Sequence, residues 1–362
     1  MTYDVVVVGA GIVGCVTAAS LARRGARVAV FDAGPVGAGA SGRNAGLVEH
    51  PFEAEQVALH EETVAILRDV LGADVVPAEP TGALLLFGDA AGAERAVAEA
   101  AAFPELAPAL LAPGEVTALE PGVRDGLWGC LLATGHPLRP AAAVHRFAGL
   151  ARERGATLVT DAPVALHRDG GTVRGVVAGG EVHRADVVVV AAGAASSALV
   201  DPTGRWRPVR PVWGVSVSID GGARPRVPLM DGRGELPPKA FSLIATPSEL
   251  ALGSTWLADE PDGAPWATQL LADAAAFWPA ATTATIAATR VCARPHAFDG
   301  RPLLGPVAGD PTLWLATGHG GRGISTGAAS AHLLADALLA GDAAAIPPAL
   351  RADRAGPPPR SA

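Results

Sequence analysis

The chain has 362 residues, 49% of them hydrophobic and 18% charged, with a formal net charge of −8. That composition excludes a disordered or fibrous chain, and the length implies two domains or one domain with a second lobe. Only one of the 28 basic residues, Lys239, is a lysine, and no basic cluster occurs, which argues against nucleic acid as a partner.

The longest apolar runs, residues 5–8 and 187–192, fall far short of the roughly 20 residues that cross a bilayer, so no membrane span is expected. The first four residues lead into a strand without the basic and apolar regions of a secretory signal, and the reading is a cytoplasmic chain. Cys15, Cys130 and Cys292 form no CxxC pair, so neither a disulfide framework nor a metal site is expected.

Residues 5–8 are four consecutive valines, the pattern of a strand buried on both faces of a parallel sheet. Gly9, Gly11 and Gly14 follow as GxGxxG. The first glycine permits a tight turn, the second lets backbone amides approach a pyrophosphate, and the third lets the next helix lie close to the sheet. That helix is expected over residues 12–24, with no charge until Arg23 and Arg24 and with Gly25 to end it. Its amino end is left for a phosphate. A second strand over residues 27–31 delivers Asp32, placed to bind a ribose hydroxyl.

A nicotinamide domain would continue with another helix and strand. Residues 34–48, GPVGAGASGRNAGLV, are instead small, glycine-rich and without helical periodicity, which suits an extended cofactor held by backbone amides. Helix is expected from about residue 52, with Val57, Val64, Leu67 and Leu71 on one apolar face, then a strand at 82–87 and an alanine-rich helix at 90–102. A helix at 138–154 ends at Gly155. Short strands follow at 157–160, 164–167 and 173–177, and a second buried strand at 185–194 returns to the first sheet. Residues 210–218 and 240–254 read as an antiparallel lobe, and 261–281 as mainly helical. A third buried strand at 313–317 leads into GHGGRGIS and a helix over 325–340 that Gly341 closes. From residue 346 the chain becomes proline-rich and is expected to fray.

Five segments carry a family resemblance in chain order: GAGIVG with Asp32, GASGRNAGL, ADVVVVAAGA, ARPHAFDGRPLLGP and TGHGGRGISTG. Together they resemble the D-amino-acid oxidase superfamily of flavoproteins, most nearly its glycine oxidase and sarcosine oxidase branches. The resemblance implies an α/β fold: a Rossmann-type FAD-binding domain made of residues 1–80, 138–205 and 290–345, beside an antiparallel β-sheet substrate domain of residues 81–137 and 206–289, with 346–362 as a tail. It implies FAD as resident cofactor, held by Gly9, Gly11, Ile12, Val13, Gly14, Asp32 and Ala33 and by Ser41, Arg43, Asn44, Ala45, Gly46 and Leu47. Val164, Ala192 and Gly193 add to that set, as do Gly320, Gly321, Arg322, Gly323, Ile324 and Ser325. In such enzymes the flavin takes a hydride from the carbon beside an amine, and the imine is hydrolysed. The partners implied are a small amine or amino acid and O2 or another electron acceptor; the sequence specifies no oligomeric state.

Gly320, Gly321 and Gly323 precede a helix whose amino end, aimed at the flavin pyrimidine, would stabilise the negative charge of reduction. Arg294 stands where glycine oxidases place a substrate-carboxylate arginine, and Arg322 where sarcosine oxidases carry a carboxylate-binding lysine. Each is alternatively a structural ion-pair partner. His319 is either a packing residue or a base. Glu49 replaces an arginine of the sarcosine oxidases, so it either meets a cationic group of the substrate or pairs with a neighbouring arginine. Cys292 falls where sarcosine oxidases attach their flavin covalently and glycine oxidases carry glycine; the other reading is a small buried thiol. The only tyrosine, Tyr3, lies in the first strand, so the active-site tyrosines of D-amino-acid oxidases have no counterpart. Oxidation of a 2-hydroxy acid, or FAD binding without turnover, remain the alternative functions.

Overall fold

The computed structural model describes residues 2–232 and 239–359. Two eight-stranded sheets organise them. The first runs Leu303–Val307, Asp310–Thr317, Glu181–Val190, Thr2–Val8, Val28–Phe31 and Thr157–Val159, with the hairpin Val164–Asp169 and Thr172–Ala178 paired onto Glu181–Val190. From Asp310–Thr317 to Thr157–Val159 every pairing is parallel. The valine runs meet in register, Val6 beside Val188 and Val8 beside Val190, and all four are buried. A strand covered on both faces has no need of alternation, which is why these stretches read as continuous apolar runs.

One face of this sheet carries the helices Ile12–Arg23, Ala54–Val70, Pro140–Glu153 and Gly323–Ala340, which pack on one another. Small residues set the approach of the first and last: a Cβ on Gly327 would meet Val13 Cγ2 at 3.0 Å.

The second sheet runs Thr285–Ala297, Val209–Asp220, Glu249–Thr255, Lys239–Thr246, Leu229–Asp231, Ala83–Phe87, Trp128–Leu132 and Ala109–Leu111. It is antiparallel except where Leu229–Asp231 pairs parallel with Ala83–Phe87, joining strands from two distant parts of the chain. The helix Gly263–Ala274 and the fully buried Trp278 cover one side through Val215, Val217, Leu243 and Leu252.

Several expectations are corrected. Residues 285–297 form one long strand that pairs with Val209–Asp220 from Val209 opposite Ala297 to Asp220 opposite Thr285. It carries residues on both sides of position 290 into the second sheet. The inward face of Ala54–Val70 is formed by Gln56, Leu59, His60, Thr63 and Leu67, whereas Val57 and Val64 are only half-buried. The end of the chain is docked rather than frayed through the last described residue, 359: Ile346, Leu350 and Ala352 are buried, Arg354 grips Asp299 through two hydrogen bonds of 2.9 and 3.1 Å, and Trp206 Nε1 donates to the Gly356 carbonyl at 3.1 Å. Residues 360–362 lie outside the described part. No helix among the described residues is long and apolar enough to cross a membrane, and no group of three His, Cys, Asp or Glu side chains among them could hold a metal.

Candidate active site

A cavity of about 1280 Å³ is lined by residues of both sheets. It exceeds the roughly 300–1,000 Å³ of most small-molecule sites, leaving room for a dinucleotide and a substrate together. Every residue named from the sequence as a candidate site lines it except Gly14 and Ser325.

Those two act from behind the wall. A Cβ on Gly14 would collide with the Gly9 carbonyl, so glycine there lets the first helix sit directly on the turn that precedes it. Ser325 is buried and its hydroxyl accepts the Glu49 amide at 3.0 Å, tying the last long helix to the strand Leu47–Val48 and the residue after it.

The amino end of the helix Ile12–Arg23 has no side-chain cap and no acidic residue in its first turn. Gly9, at φ +116°, makes the turn, and its Cβ would strike the Ala191 carbonyl. Asp32 braces this loop: one oxygen accepts the Ala10 amide at 2.6 Å and the other the Gly34 amide at 2.8 Å. Each carboxylate oxygen keeps a further lone pair for a hydroxyl.

Residues 40–47 are more ordered than their composition implied. Ala40–Arg43 is a short helix, and the Ser41 hydroxyl accepts the Ile12 amide at 3.0 Å. The Asn44 side chain donates to the carbonyls of Ala40 and Ser41 at 3.1 and 2.9 Å and accepts from the Gly46 amide at 2.9 Å, so its amide is turned into the segment as a brace. Arg43 likewise reaches outward to the Val291 carbonyl at 3.2 Å.

A second helix, Gly323–Ala340, also begins at the cavity with neither a side-chain cap nor an acidic residue in its first turn. Two helix amino ends therefore face one space, the first with its Ile12 amide taken by Ser41, each offering further backbone N–H groups and a positive dipole end. His319 stands just before the second. Burial pushes its imidazole down to about 4, and Nε2 is buried without a hydrogen-bond partner.

The charged candidates separate clearly. Arg322 makes an ion pair with Glu53. Arg294 donates to two neutral acceptors, the Thr255 carbonyl at 2.8 Å and the Ser254 hydroxyl at 3.0 Å, and its guanidinium stacks 4.4 Å from the ring of Trp256. Among the described residues it has no carboxylate partner within ion-pair distance. Room for it comes from Gly214 on the neighbouring strand, where a Cβ would run into the guanidinium. Glu49 faces the cavity, and burial raises its carboxyl above the usual range against the opposing pull of Arg322 and Arg294.

The matching family model, described as FAD dependent oxidoreductase, covers residues 4–337. The chain belongs to this DAO family. It is 31% identical to glycine oxidase of Pseudomonas aeruginosa, over 96% of this chain and 98% of that protein. Its fold superposes on glycine oxidase of Geobacillus kaustophilus with a TM-score of 0.82 and 25% identity, covering 94% of this chain and 95% of that one. Iminodiacetate oxidase of Chelativorans sp. BNC1 superposes with a TM-score of 0.81 and 25% identity, over 99% and 100% of the two chains. The chain is thus an FAD-dependent oxidoreductase acting on amino acids or amines.

The site fits that cofactor on its own chemistry. FAD brings a pyrophosphate, a ribose and a polar flavin edge; the chain brings two helix amino ends, the Asp32 carboxylate and a buried His319 nitrogen without a partner. Trp256, Ser254, Thr255 and Gly214 escaped the sequence reading. The strand that holds Arg294 is built of small residues with a proline inside it, which hid its period of two and with it the neighbours that frame the guanidinium.

Proposed function

We propose that the chain oxidises the C–N bond of a small amino acid or amine by hydride transfer to FAD, giving an imine that hydrolyses to a carbonyl compound. The observation that carries this reading is Arg294: a half-buried guanidinium whose hydrogen bonds go to neutral acceptors, facing the cavity. Burial lowers its affinity for its proton, a cost that a bound carboxylate offsets. A carboxylate docks on the fork bidentately, and the stacked Trp256 fixes the plane of that fork.

When bound, FAD supplies the two-electron acceptor. The amino end of Gly323–Ala340 would hold the polar edge of the bound flavin and favour negative charge there. His319 stays neutral in ordinary buffers and acts as a hydrogen-bonding wall rather than a proton store. Hydride loss requires a neutral amine, so Arg294 repels the ammonium form while holding the carboxylate. In this reading the first sheet and its helices hold the cofactor and the second sheet holds the substrate.

Anaerobic mixing of the flavin-loaded enzyme with a panel of amino acids, N-methyl amines and 2-hydroxyglutarate tests this. Bleaching of the flavin band by an amine, with release of ammonia or methylamine, is expected. Bleaching by the hydroxy acid alone would move the reaction to C–O oxidation, and no bleaching by any compound would leave a flavin-binding protein without turnover.

A further inference from the structure

The cavity is lined by two half-buried groups of opposite sign, Arg294 and Glu49, neither of which makes an ion pair with a described side chain. Arg322 lies near enough to favour the charged form of Glu49, yet its ion pair is made with Glu53. The Glu49 backbone is fixed by Ser325, so the carboxylate is presented from a held position. A partly desolvated carboxylate without an ion-pair partner is costly, and a substrate cation is a group that would offset the cost.

We infer that the enzyme is selective for a basic amino acid, whose carboxylate sits on Arg294 and whose distal cationic group, an ammonium or guanidinium, sits on Glu49. The inference rests on the amine-oxidising reading and deepens it by naming the substrate class. Glu49 suits a cation that remains charged throughout. Were it paired with the reacting amine, it would hold that amine as an ammonium and oppose hydride loss.

The test has a binding arm and a turnover arm, both on the flavin-loaded enzyme. In the first, butyrate and γ-guanidinobutyrate, which lack an oxidisable α-amine, are titrated while the flavin spectrum is followed. The guanidino ligand is expected to bind more than about 10-fold tighter in the native enzyme, with most of that advantage lost in Glu49→Gln and kept in Glu49→Asp. A charge-assisted contact accounts for roughly 10- to 100-fold in affinity. In the second arm, arginine is compared with citrulline and lysine with norleucine, in both enantiomers. The ratio of kcat/KM, basic over neutral, is expected to fall about 10-fold or more in Glu49→Gln.

Equal binding of the two carboxylates by the native enzyme would overturn the inference, as would a Glu49→Gln effect of equal size on basic and neutral substrates. If no amine reduces the flavin, the amine-oxidising reading fails while the binding arm still decides the role of Glu49.

Discussion

Asp32 reaches back across the end of the second strand to accept the Ala10 amide at 2.6 Å, while its other oxygen accepts the Gly34 amide. One carboxylate thus holds the glycine turn in shape and borders the cavity. Asp32→Ala removes both bonds together with the acceptor for a ribose hydroxyl. Hydrogen bonds to a charged group contribute about 1.5–3 kcal/mol each, so the dissociation constant for FAD is expected to rise at least about 10-fold, with Asp32→Asn intermediate. Titration of apoprotein with FAD, followed by quenching of flavin fluorescence, measures it. Unchanged affinity would leave Asp32 with no part in cofactor binding.

Histidines withdrawn from water make the fold sensitive to mild acid, His60 and His319 above all. Burial is the main cause that pushes both His60 and His319 down to about 4, from an ordinary value of 6.5. Between those values the unfolded chain takes up a proton at each that the folded chain refuses. Stability is therefore complete above about pH 6.5 and falls as the pH drops toward 4, at up to about 1.4 kcal/mol per pH unit for each histidine. Urea midpoints of the apoprotein at pH 7 and pH 5 should differ accordingly. In His60→Gln the difference should shrink, with His319, His136 and His332, also lowered by burial, supplying the remainder. Equal midpoints at both values would show that neither histidine titrates on unfolding.

Cys292 lines the cavity, yet burial raises its thiol above the ordinary range despite Arg294, Arg43 and Arg290 nearby. The thiolate is the reacting form of cysteine, so a raised thiol is a poor candidate for attachment to a flavin. Acid precipitation of the yellow protein is expected to leave the flavin in the supernatant, and Cys292→Ala is expected to stay yellow. Flavin retained in the pellet would reverse the assignment.

The parts of this molecule that were legible in the sequence are those where backbone conformation dictates residue type. Four consecutive valines can only be read as a strand buried on both faces, and Gly9, Gly11 and Gly14 stand where a side chain would meet the Ala191 carbonyl, the Ser41 hydroxyl or the Gly9 carbonyl. Positions set by side chains from distant segments were hidden. The strand Thr285–Ala297 lacks an apolar alternation, because its residues from Val291 to His296 line a cavity rather than a core. The inward face of Ala54–Val70 is partly polar because Thr63 accepts the Ala329 amide from the last long helix at 3.0 Å, a partner that no local period reveals. Arg294 and Arg322 were equal candidates by motif. They differ through Glu53, which lies far from either in sequence and claims only Arg322. The docked chain end was hidden for a related reason: its anchor, Asp299, lies 55 positions away from Arg354.

The most direct measurement is anaerobic single-turnover reduction of the bound flavin by an amino acid deuterated at the carbon that bears the amine. If that C–H bond breaks as hydride passes to FAD with the carboxylate seated on Arg294, deuteration should slow bleaching several-fold, and Arg294→Met should weaken the substrate dependence of the rate by about 10-fold or more. Bleaching that ignores the deuterium and survives Arg294→Met with the same substrate dependence would contradict both the reaction and the site assigned to it.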